Sequence, residues 1–225
     1  MFSPLILAHR GNLQGPDRRT ENTVGAYCEA LHSGFGLEID VRRNSDGDYY
    51  IAHDAVTDRP DLLLREFESH FRACRDALVA VNVKELGYEI ELAKMVSEGV
   101  FGDQAFLFDL ELLEPAAAGR AQRLIDSAGL GSKVRMASRL SDRSEPLQQA
   151  LSIPGEIVWA DEFDSFWLTK EYVEAVHDAG RRFYMVSPDL HGFPREARLR
   201  RWAELSAWGI DALCTDFAFE ARAFF

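Results

Sequence analysis

Within the first quarter of the chain, two carboxylates, two imidazoles and one guanidinium lie at apparent strand ends. Glu38 and Asp40 are separated by one apolar residue, so on a strand their side chains point the same way, about 7 Å apart. That spacing suits two ligands of one metal ion. His9 and Arg10 precede the acidic pair, and His53 follows it. Side chains of these types suit chemistry on a phosphate ester.

The composition is that of an ordinary globular protein. The chain has 225 residues, of which 47% are hydrophobic and 28% charged, which is enough for one sizeable core. No linker rich in Pro, Gly or Ser divides it, so we expect a single domain over residues 1–225. The three cysteines are few, odd in number and widely spaced, which predicts a reducing compartment and hence a cytoplasmic protein.

Membrane insertion and nucleic-acid binding are not expected. No apolar run approaches the roughly 20 residues that a membrane-spanning helix needs, and the apolar stretch at residues 4–8 is too short for an export signal. The net charge of -12 would repel nucleic acid and anionic lipid. The expected partner is a small soluble molecule, and the oligomeric state is open. An anionic ligand would need local positive charge, which Arg10, Lys84 and a bound cation could supply.

Short β-rich runs alternate with longer segments of helical period along the chain. Eight strands are predicted near residues 5–9, 37–41, 78–83, 105–109, 133–137, 156–160, 182–186 and 212–215. Helices are predicted near residues 23–33, 88–98, 115–128, 145–151, 169–179 and 194–207. A short hairpin arm at residues 49–52 should follow the turn that contains Asp46 and Gly47.

Eight strands separated by helical segments predict an α/β fold, the (β/α)8 TIM barrel, with a small hairpin insertion after the second strand. An open doubly wound sheet is the alternative, but no G-x-G-x-x-G follows the first strand. Polar residues also end many different strands. A barrel explains this pattern, because all of its strands end at one rim. We therefore expect these polar side chains to converge.

Five short motifs follow one another in the first quarter of the chain. They are Ala8-His9-Arg10-Gly11, Glu21-Asn22-Thr23, Glu38-Ile39-Asp40-Val41, Asp46-Gly47 and His53-Asp54. In order and spacing they resemble the glycerophosphodiester phosphodiesterase family. The resemblance is dense over residues 5–54 and thinner afterwards, where the corresponding positions are Asn82-Val83-Lys84, Trp159 and Thr215-Asp216.

The resemblance implies a (β/α)8 barrel that hydrolyses glycerol-phospho-alcohol diesters with a divalent cation, usually Ca²⁺ or Mg²⁺. It implies His9 and His53 as the acid-base pair. It also implies Glu38 and Asp40 as metal ligands and Arg10 as a phosphate contact. Imidazoles suit the first role, since one can deprotonate a hydroxyl while the other protonates the leaving oxygen, and which histidine does which is open. Carboxylate oxygens suit Ca²⁺ or Mg²⁺, which would draw charge from the phosphate.

The chain departs from the family pattern at the third predicted strand. The family commonly has a Glu two residues before a Lys there, as a third metal ligand, whereas here Asn82 precedes Lys84. The formal charge around the cation falls by one. Asn82 can still coordinate through its amide oxygen, and Asp109 at the end of the next strand could supply a carboxylate. We expect weaker metal binding, an altered metal preference, or a substrate other than an ordinary glycerol diester.

Further substrate contacts are predicted at other strand ends. Arg10 and Lys84 could bind phosphate, or could be salt-bridge partners of the nearby acids. Arg139 could contact the substrate. Trp159 and His191 could contact the substrate, although Trp159 could be core and His191 lies in turn-forming sequence. Two other functions stay open. One is a phosphodiester lyase that releases a cyclic phosphate, and the other is a barrel that binds a phosphorylated molecule without catalysis.

Overall fold

The computed structural model describes residues 3–55 and 62–225. Its strands are β1 (Leu5–His9), β2 (Gly36–Arg43), β3 (Tyr49–Ile51), β4 (Leu78–Val83), β5 (Gln104–Phe108), β6 (Arg135–Ser141), β7 (Ile157–Asp161), β8 (Arg182–Val186) and β9 (Ala212–Thr215). Its α-helices are α1 (Val24–His32), α2 (Glu68–Ala73), α3 (Glu89–Ser97), α4 (Leu110–Leu113), α5 (Arg120–Ser127), α6 (Leu147–Ser152), α7 (Lys170–Asp178), α8 (Arg195–Trp208) and α9 (Ala218–Phe224). Short 3₁₀ helices lie at Leu64–Glu66, Pro115–Ala117 and Pro188–His191.

Strands β1, β2 and β4 to β9 form a closed parallel barrel. Each pairs with its neighbour in chain order, and β9 pairs with β1, with Leu5 opposite Ala212. Strand β3 lies outside the barrel and pairs antiparallel with the end of β2, with Val41 opposite Ile51. The predicted TIM barrel with a hairpin insertion after its second strand is confirmed.

Strand β2 shows how alternating side chains build both the core and the rim. Leu37, Ile39 and Val41 are fully buried in the apolar layer between the barrel and the helices. Because successive side chains of a strand point to opposite faces, the intervening Glu38 and Asp40 point into the barrel. Both are buried.

The barrel interior is apolar on the amino-terminal side of these acids. A core cluster fills it, made of Leu7, Leu78, Ala80, Phe106, Phe108, Ala137, Ile157, Trp159, Tyr184, Val186, Ala212 and Cys214. Gly36 begins β2 in the same layer, where a Cβ atom would lie 2.6 Å from the carbonyl oxygen of Leu78. A side chain at position 36 would therefore push β2 away from β4. The polar side chains at the carboxyl ends of the strands lie on top of this apolar layer.

Most predicted bounds agree with the structure within two residues, and two predicted elements are wrong in extent. The strand predicted at residues 133–137 begins later, at Arg135, and continues to Ser141, because a turn occupies residues 131–134. Arg139 therefore lies within β6. The helix predicted at residues 115–128 begins only at Arg120, because Gly119 has a left-handed φ of 78°. Helices α2, α4 and α9 are short and were not predicted.

The helices and the cysteines bear on the expected absence of membrane insertion and on the expected reducing compartment. None of the helices in these two stretches of chain has the length and apolar content to cross a bilayer. All three cysteines are free thiols. The cytoplasmic location itself stays a prediction.

Candidate active site

A cavity of about 280 Å³ opens at the carboxyl ends of the barrel strands. The side chains that the sequence predicts for catalysis, substrate and metal all line it, namely His9, Arg10, Glu38, Asp40, His53, Asn82, Lys84, Asp109, Arg139, Trp159 and His191. Residues with no predicted role complete the lining, namely Phe108, Leu112, Asp161, Phe163, Val186, Leu190 and Cys214. The expected convergence is observed, and the roles of the individual residues stay predictions.

His9, at the end of β1, is held by an acid from the end of the last strand. Its Nδ1 lies 2.7 Å from Oδ1 of Asp216, and Asn12 donates to the same oxygen at 2.9 Å. A ring whose Nδ1–H donates to Asp216 presents Nε2 to the cavity, and Nε2 lies 3.9 Å from Oε2 of Glu38. Burial opposes the charged ring, but the hydrogen bond to Asp216 and the charge of Glu38 outweigh burial. The pKa of His9 is therefore raised.

His53 reaches the cavity from the hairpin arm, just beyond β3. Arg42 on β2 holds its backbone, since Nε and Nη2 of Arg42 donate to the carbonyl oxygen of His53 at 2.9 and 2.7 Å. Arg42 is itself paired with Glu85. The His53 side chain is 48% exposed, and its Nδ1 lies 2.8 Å from Oδ1 of Asp54. The backbone is thus fixed while the imidazole remains in contact with solvent.

Asp40 on β2 lies between two basic side chains. Nζ of Lys84 lies 2.8 Å from Oδ1 of Asp40, and Nε of Arg10 lies 3.1 Å from Oδ2. Asn22 donates to Oδ2 at 3.3 Å. Burial alone would raise the pKa of Asp40, but the charges of Lys84 and Arg10 outweigh burial and lower it. Asp40 is therefore an ionised carboxylate with both oxygens engaged.

Glu38, two residues earlier on the same face, has a different environment. Its Oε1 accepts a hydrogen bond from Nδ2 of Asn82 at 3.3 Å. Its Oε2 and Oδ1 of Asn82 are both buried and have no hydrogen-bond partner among the described residues. Burial, together with the charge of Asp40, raises the pKa of Glu38 to about 7. Two buried oxygens therefore remain open to a ligand.

The loop before α1 holds Arg10 and Asp40 in place. Arg10 has a left-handed φ of 53°, and its Nη1 donates to Glu21 at 3.2 Å. Asn22 also has a left-handed φ, of 59°, and accepts a hydrogen bond from the Tyr27 hydroxyl at 2.6 Å. Left-handed backbone at residues other than glycine costs free energy of order 1 kcal/mol each. The contacts with Glu21, Tyr27 and Asp40 offset that cost.

Arg139 lies on the β5 to β7 side of the cavity, in a cluster of acids. Its side chain is 2% exposed and pairs with Asp109, with Asp161 at 3.2 Å and with Glu145 at 3.5 Å. Burial disfavours the charged guanidinium, but the charges of these three acids outweigh burial and raise the pKa of Arg139. His191 also pairs with Asp161. Asp109 and Arg139, predicted as a metal ligand and a substrate contact, are thus engaged with each other.

Aromatic rings form the non-polar wall of the cavity. Trp159 is buried, and its ring centroid lies 4.3 Å from that of Phe108. The rings of Phe163 and His191 lie 4.6 Å apart. Trp159 therefore belongs both to the barrel core and to the cavity lining. Such a wall would pack against the non-polar part of a substrate.

The four candidate metal ligands do not fit a hard divalent cation well. Ca²⁺ takes about six to eight oxygen ligands, and Mg²⁺ prefers an octahedral set. Asp40 and Asp109 are already paired with basic side chains. Glu38 and Asn82 have one open oxygen each. In the part of the chain that the structure describes, no three His, Cys, Asp or Glu side chains are placed to bind one metal ion.

Several residues that hold the site had no role assigned from the sequence. Asp216 orients His9, and Asn12 fixes Asp216. Asn22 links Tyr27 to Asp40. The available signals were position, because Asn12 and Asp216 follow barrel strands and Asn22 precedes α1, and the motifs of the family resemblance to which Asn22 and Asp216 belong. Which side chain each would contact depends on the closure of the barrel.

Three solved structures, each described as a glycerophosphodiester phosphodiesterase, match nearly the whole chain. The one from Agrobacterium tumefaciens has a TM-score of 0.68 at 19% identity and covers 96% of this chain and 99% of its own. The one from Parabacteroides distasonis has a TM-score of 0.69 at 15% identity, with 99% and 86% covered. The one from Thermotoga maritima has a TM-score of 0.63 at 17% identity, with 100% of each chain covered.

The same fold also occurs in a protein described as an inhibitor. A xylanase and α-amylase inhibitor protein from Scadoxus multiflorus has a TM-score of 0.53 at 12% identity and covers 99% of this chain and 97% of its own. No family model and no curated protein matches the chain. At these identities the likeness is one of fold. The fold that the family resemblance implies is confirmed, and the activity has to be inferred from the site.

Proposed function

We propose that the chain is a phosphodiester hydrolase that cleaves a glycerophosphodiester, or a similar small soluble phosphodiester, by histidine acid-base catalysis. The observation that carries this proposal is that His9, His53, Arg10 and Lys84 line one cavity of about 280 Å³. Two groups that can transfer protons therefore face the same space as two groups that can neutralise a phosphate.

Lys84 and Arg10 would bind the non-bridging oxygens of the phosphate. An ammonium has three N–H donors and a guanidinium has five. Asp40 forms an ion pair with one nitrogen of each side chain, so donors of both remain for a phosphate. Asp40 would hold the two cations in place before the substrate arrives. Positive charge that is fixed in advance stabilises the charge that develops on phosphate oxygens in the transition state.

His9 and His53 would transfer the protons. One imidazole removes a proton from water or from a substrate hydroxyl while the new P–O bond forms. The P–O bond to the alcohol breaks, and the other imidazole protonates the leaving oxygen. The two rings lie in different settings, since His9 is held by Asp216 inside the barrel and His53 is about half exposed. They could therefore reach opposite sides of a phosphate.

Phosphorus NMR with sn-glycero-3-phosphocholine tests this proposal. We expect the diester resonance to be replaced by that of glycerol phosphate. His9→Ala and His53→Ala should each lower kcat by about 10³-fold or more with the fold retained, because each removes a proton-transfer group. His32→Ala is the matched control, since His32 is exposed in the last turn of α1, away from the cavity, and should leave kcat unchanged.

The same spectra separate the alternatives. A cyclic phosphate that accumulates without opening would indicate a lyase. No turnover of a panel of glycerophosphodiesters by the wild-type protein would favour a barrel that only binds a phosphorylated ligand. Unchanged activity in His9→Ala would remove the acid-base mechanism, whatever the product.

The proposals on cellular location and binding partner rest on fewer observations than the proposed reaction. The three free thiols and the net charge of -12 support a soluble protein of a reducing, cytoplasmic compartment that acts on a small anion. Fractionation of cells that express the chain at its natural level would test the location.

A further inference from the structure

Asp40 is already balanced by basic side chains of the protein itself. Lys84 and Arg10 both pair with Asp40, at 2.8 and 3.1 Å. Their side chains are 15% and 18% exposed, so both charges are largely withdrawn from water. A divalent cation next to Asp40 would share this carboxylate with an ammonium and a guanidinium. Both would repel it at short range, in a setting that screens charge poorly.

Two side chains of strand β4 point N–H groups at the acids of β2. Asn82 is opposite Asp40 in the strand register, and its NH₂ group donates to Oε1 of Glu38. Lys84 is two residues further along the same face, and its ammonium meets Oδ1 of Asp40. Its backbone N–H donates to the carbonyl oxygen of Val41 at 3.2 Å, which fixes where the side chain begins. A metal ligand must be an electron-pair donor, and a lysine ammonium has none to offer.

We infer that the Lys84 ammonium takes the place of a divalent cation beside Asp40, and that cleavage of the phosphodiester here needs no bound metal ion. The catalytic half of this inference rests on the proposed function. The binding half does not, because it concerns only which cation Asp40 and Glu38 hold. Lys84 and Arg10 would then supply the charge neutralisation that a metal ion supplies as a Lewis acid.

Calorimetric titration tests the binding half directly. The wild-type protein is treated with EDTA, dialysed, and titrated with CaCl₂ and with MgCl₂. We expect no specific binding of either ion up to about 1 mM. A stoichiometric site with a dissociation constant below that concentration would overturn the inference, whether or not the protein is active.

Lys84→Glu should convert the site into one that binds metal. The substitution frees Oδ1 of Asp40 and adds a third carboxylate beside Asp40 and Glu38, so Ca²⁺ should now bind in the same titration. Lys133→Glu makes the same change in net charge at an exposed residue in the turn before β6 and should bind no Ca²⁺. A folded Lys84→Glu protein, judged by circular dichroism, that binds no more Ca²⁺ than Lys133→Glu would also overturn the inference.

Activity with and without chelator tests the catalytic half. The wild-type rate in excess EDTA should agree within about twofold with the rate in Ca²⁺ or Mg²⁺. Lys84→Gln should lower kcat/KM by about 10²-fold or more in EDTA, with no recovery on addition of metal, while Lys133→Glu keeps the wild-type rate. Loss of wild-type activity in EDTA that Ca²⁺ restores would overturn the inference. If the wild-type protein cleaves no diester under any condition, the proposed function fails, and the titrations still decide the binding half.

Discussion

The two sides of the cavity rim pair basic and acidic side chains in different proportions. On the β1 to β4 side, Arg10 and Lys84 face the two carboxylates Glu38 and Asp40. On the β5 to β7 side, a single arginine, Arg139, is paired with three acids. The first arginine is 18% exposed and the second only 2%.

This difference favours Arg10 over Arg139 as the proposed phosphate contact. Arg139 is enclosed by carboxylates, and a phosphate would compete with three fixed negative charges for it. Arg10 and Lys84 share Asp40 and keep donors that face the cavity. We therefore expect an arginine at the end of a barrel strand to contact phosphate only where some of its N–H donors remain free of fixed acids.

Replacing each arginine by leucine should give the largest difference in stability between the two sides of the rim. Arg139→Leu should lower the free energy of unfolding by about 3–5 kcal/mol, because it leaves buried acids without their cation. Arg10→Leu should cost only about 1 kcal/mol, since Lys84 and Asn22 still contact Asp40. Urea unfolding of both variants provides the measurement. If the two variants lost equal stability, the distinction between the two sides would be wrong.

Asp216→Asn tests how the β1 to β4 side sets the pKa and the tautomer of His9. Asp216 raises the pKa of His9 by accepting a hydrogen bond at 2.7 Å. Without its charge the pKa of His9 should fall, so the limb of the kcat/KM profile that reports His9 should move to lower pH. The rate at the optimum should fall by about 10²-fold, because the ring is no longer held in one tautomer. A profile that keeps its wild-type limbs would show that His9 is not the titrating group.

Glu111→Gln sharpens the comparison on the β5 to β7 side, with an effect that is largest at neutral and higher pH. Glu111 accepts a hydrogen bond from the backbone N–H of Arg139 at 3.1 Å, and burial raises its pKa to about 7. The folded protein therefore holds this proton at pH values where the unfolded chain, with an ordinary glutamate pKa, has lost it. The stability of the wild type should fall as pH rises from about 4.5 through 7.

Glutamine cannot ionise, so the variant should escape that loss. Relative to the wild type, Glu111→Gln should gain about 3 kcal/mol of stability at pH 8 and almost nothing at pH 4.5. Thermal melts at the two pH values check this expectation. An equal effect at both would mean that Glu111 is ionised throughout.

The sequence predicted the fold and the location of the site well. Strands β1, β4, β8 and β9 match their predicted bounds, because β-rich runs between helical segments mark them clearly. Parallel strands of a barrel end at one rim, so residues as distant in sequence as His9 and His191 could be expected to meet. The cavity lining confirms that they do.

The contacts within the site could not be predicted in the same way. Glu38 and Asp40 have the same residue class, strand and face, yet one has an open oxygen and the other holds two cations. That difference depends on how far Lys84 and Arg10 reach across neighbouring strands. The environment of Arg139 could not be predicted from the sequence either, because the bounds of β6 decide whether its side chain lies inside the barrel.

The two hydrogen bonds from Arg42 to the carbonyl oxygen of His53 have a consequence for the proposed catalytic cycle. The Arg42 hydrogen bonds fix the main chain, while the ring, whose Nδ1 lies 2.8 Å from the exposed Asp54, stays about half exposed. It should therefore exchange its proton with buffer between turnovers. In its proposed role, His53 would need no internal chain of proton carriers to regain its starting state. A high concentration of a small buffer acid should then speed any step limited by that exchange.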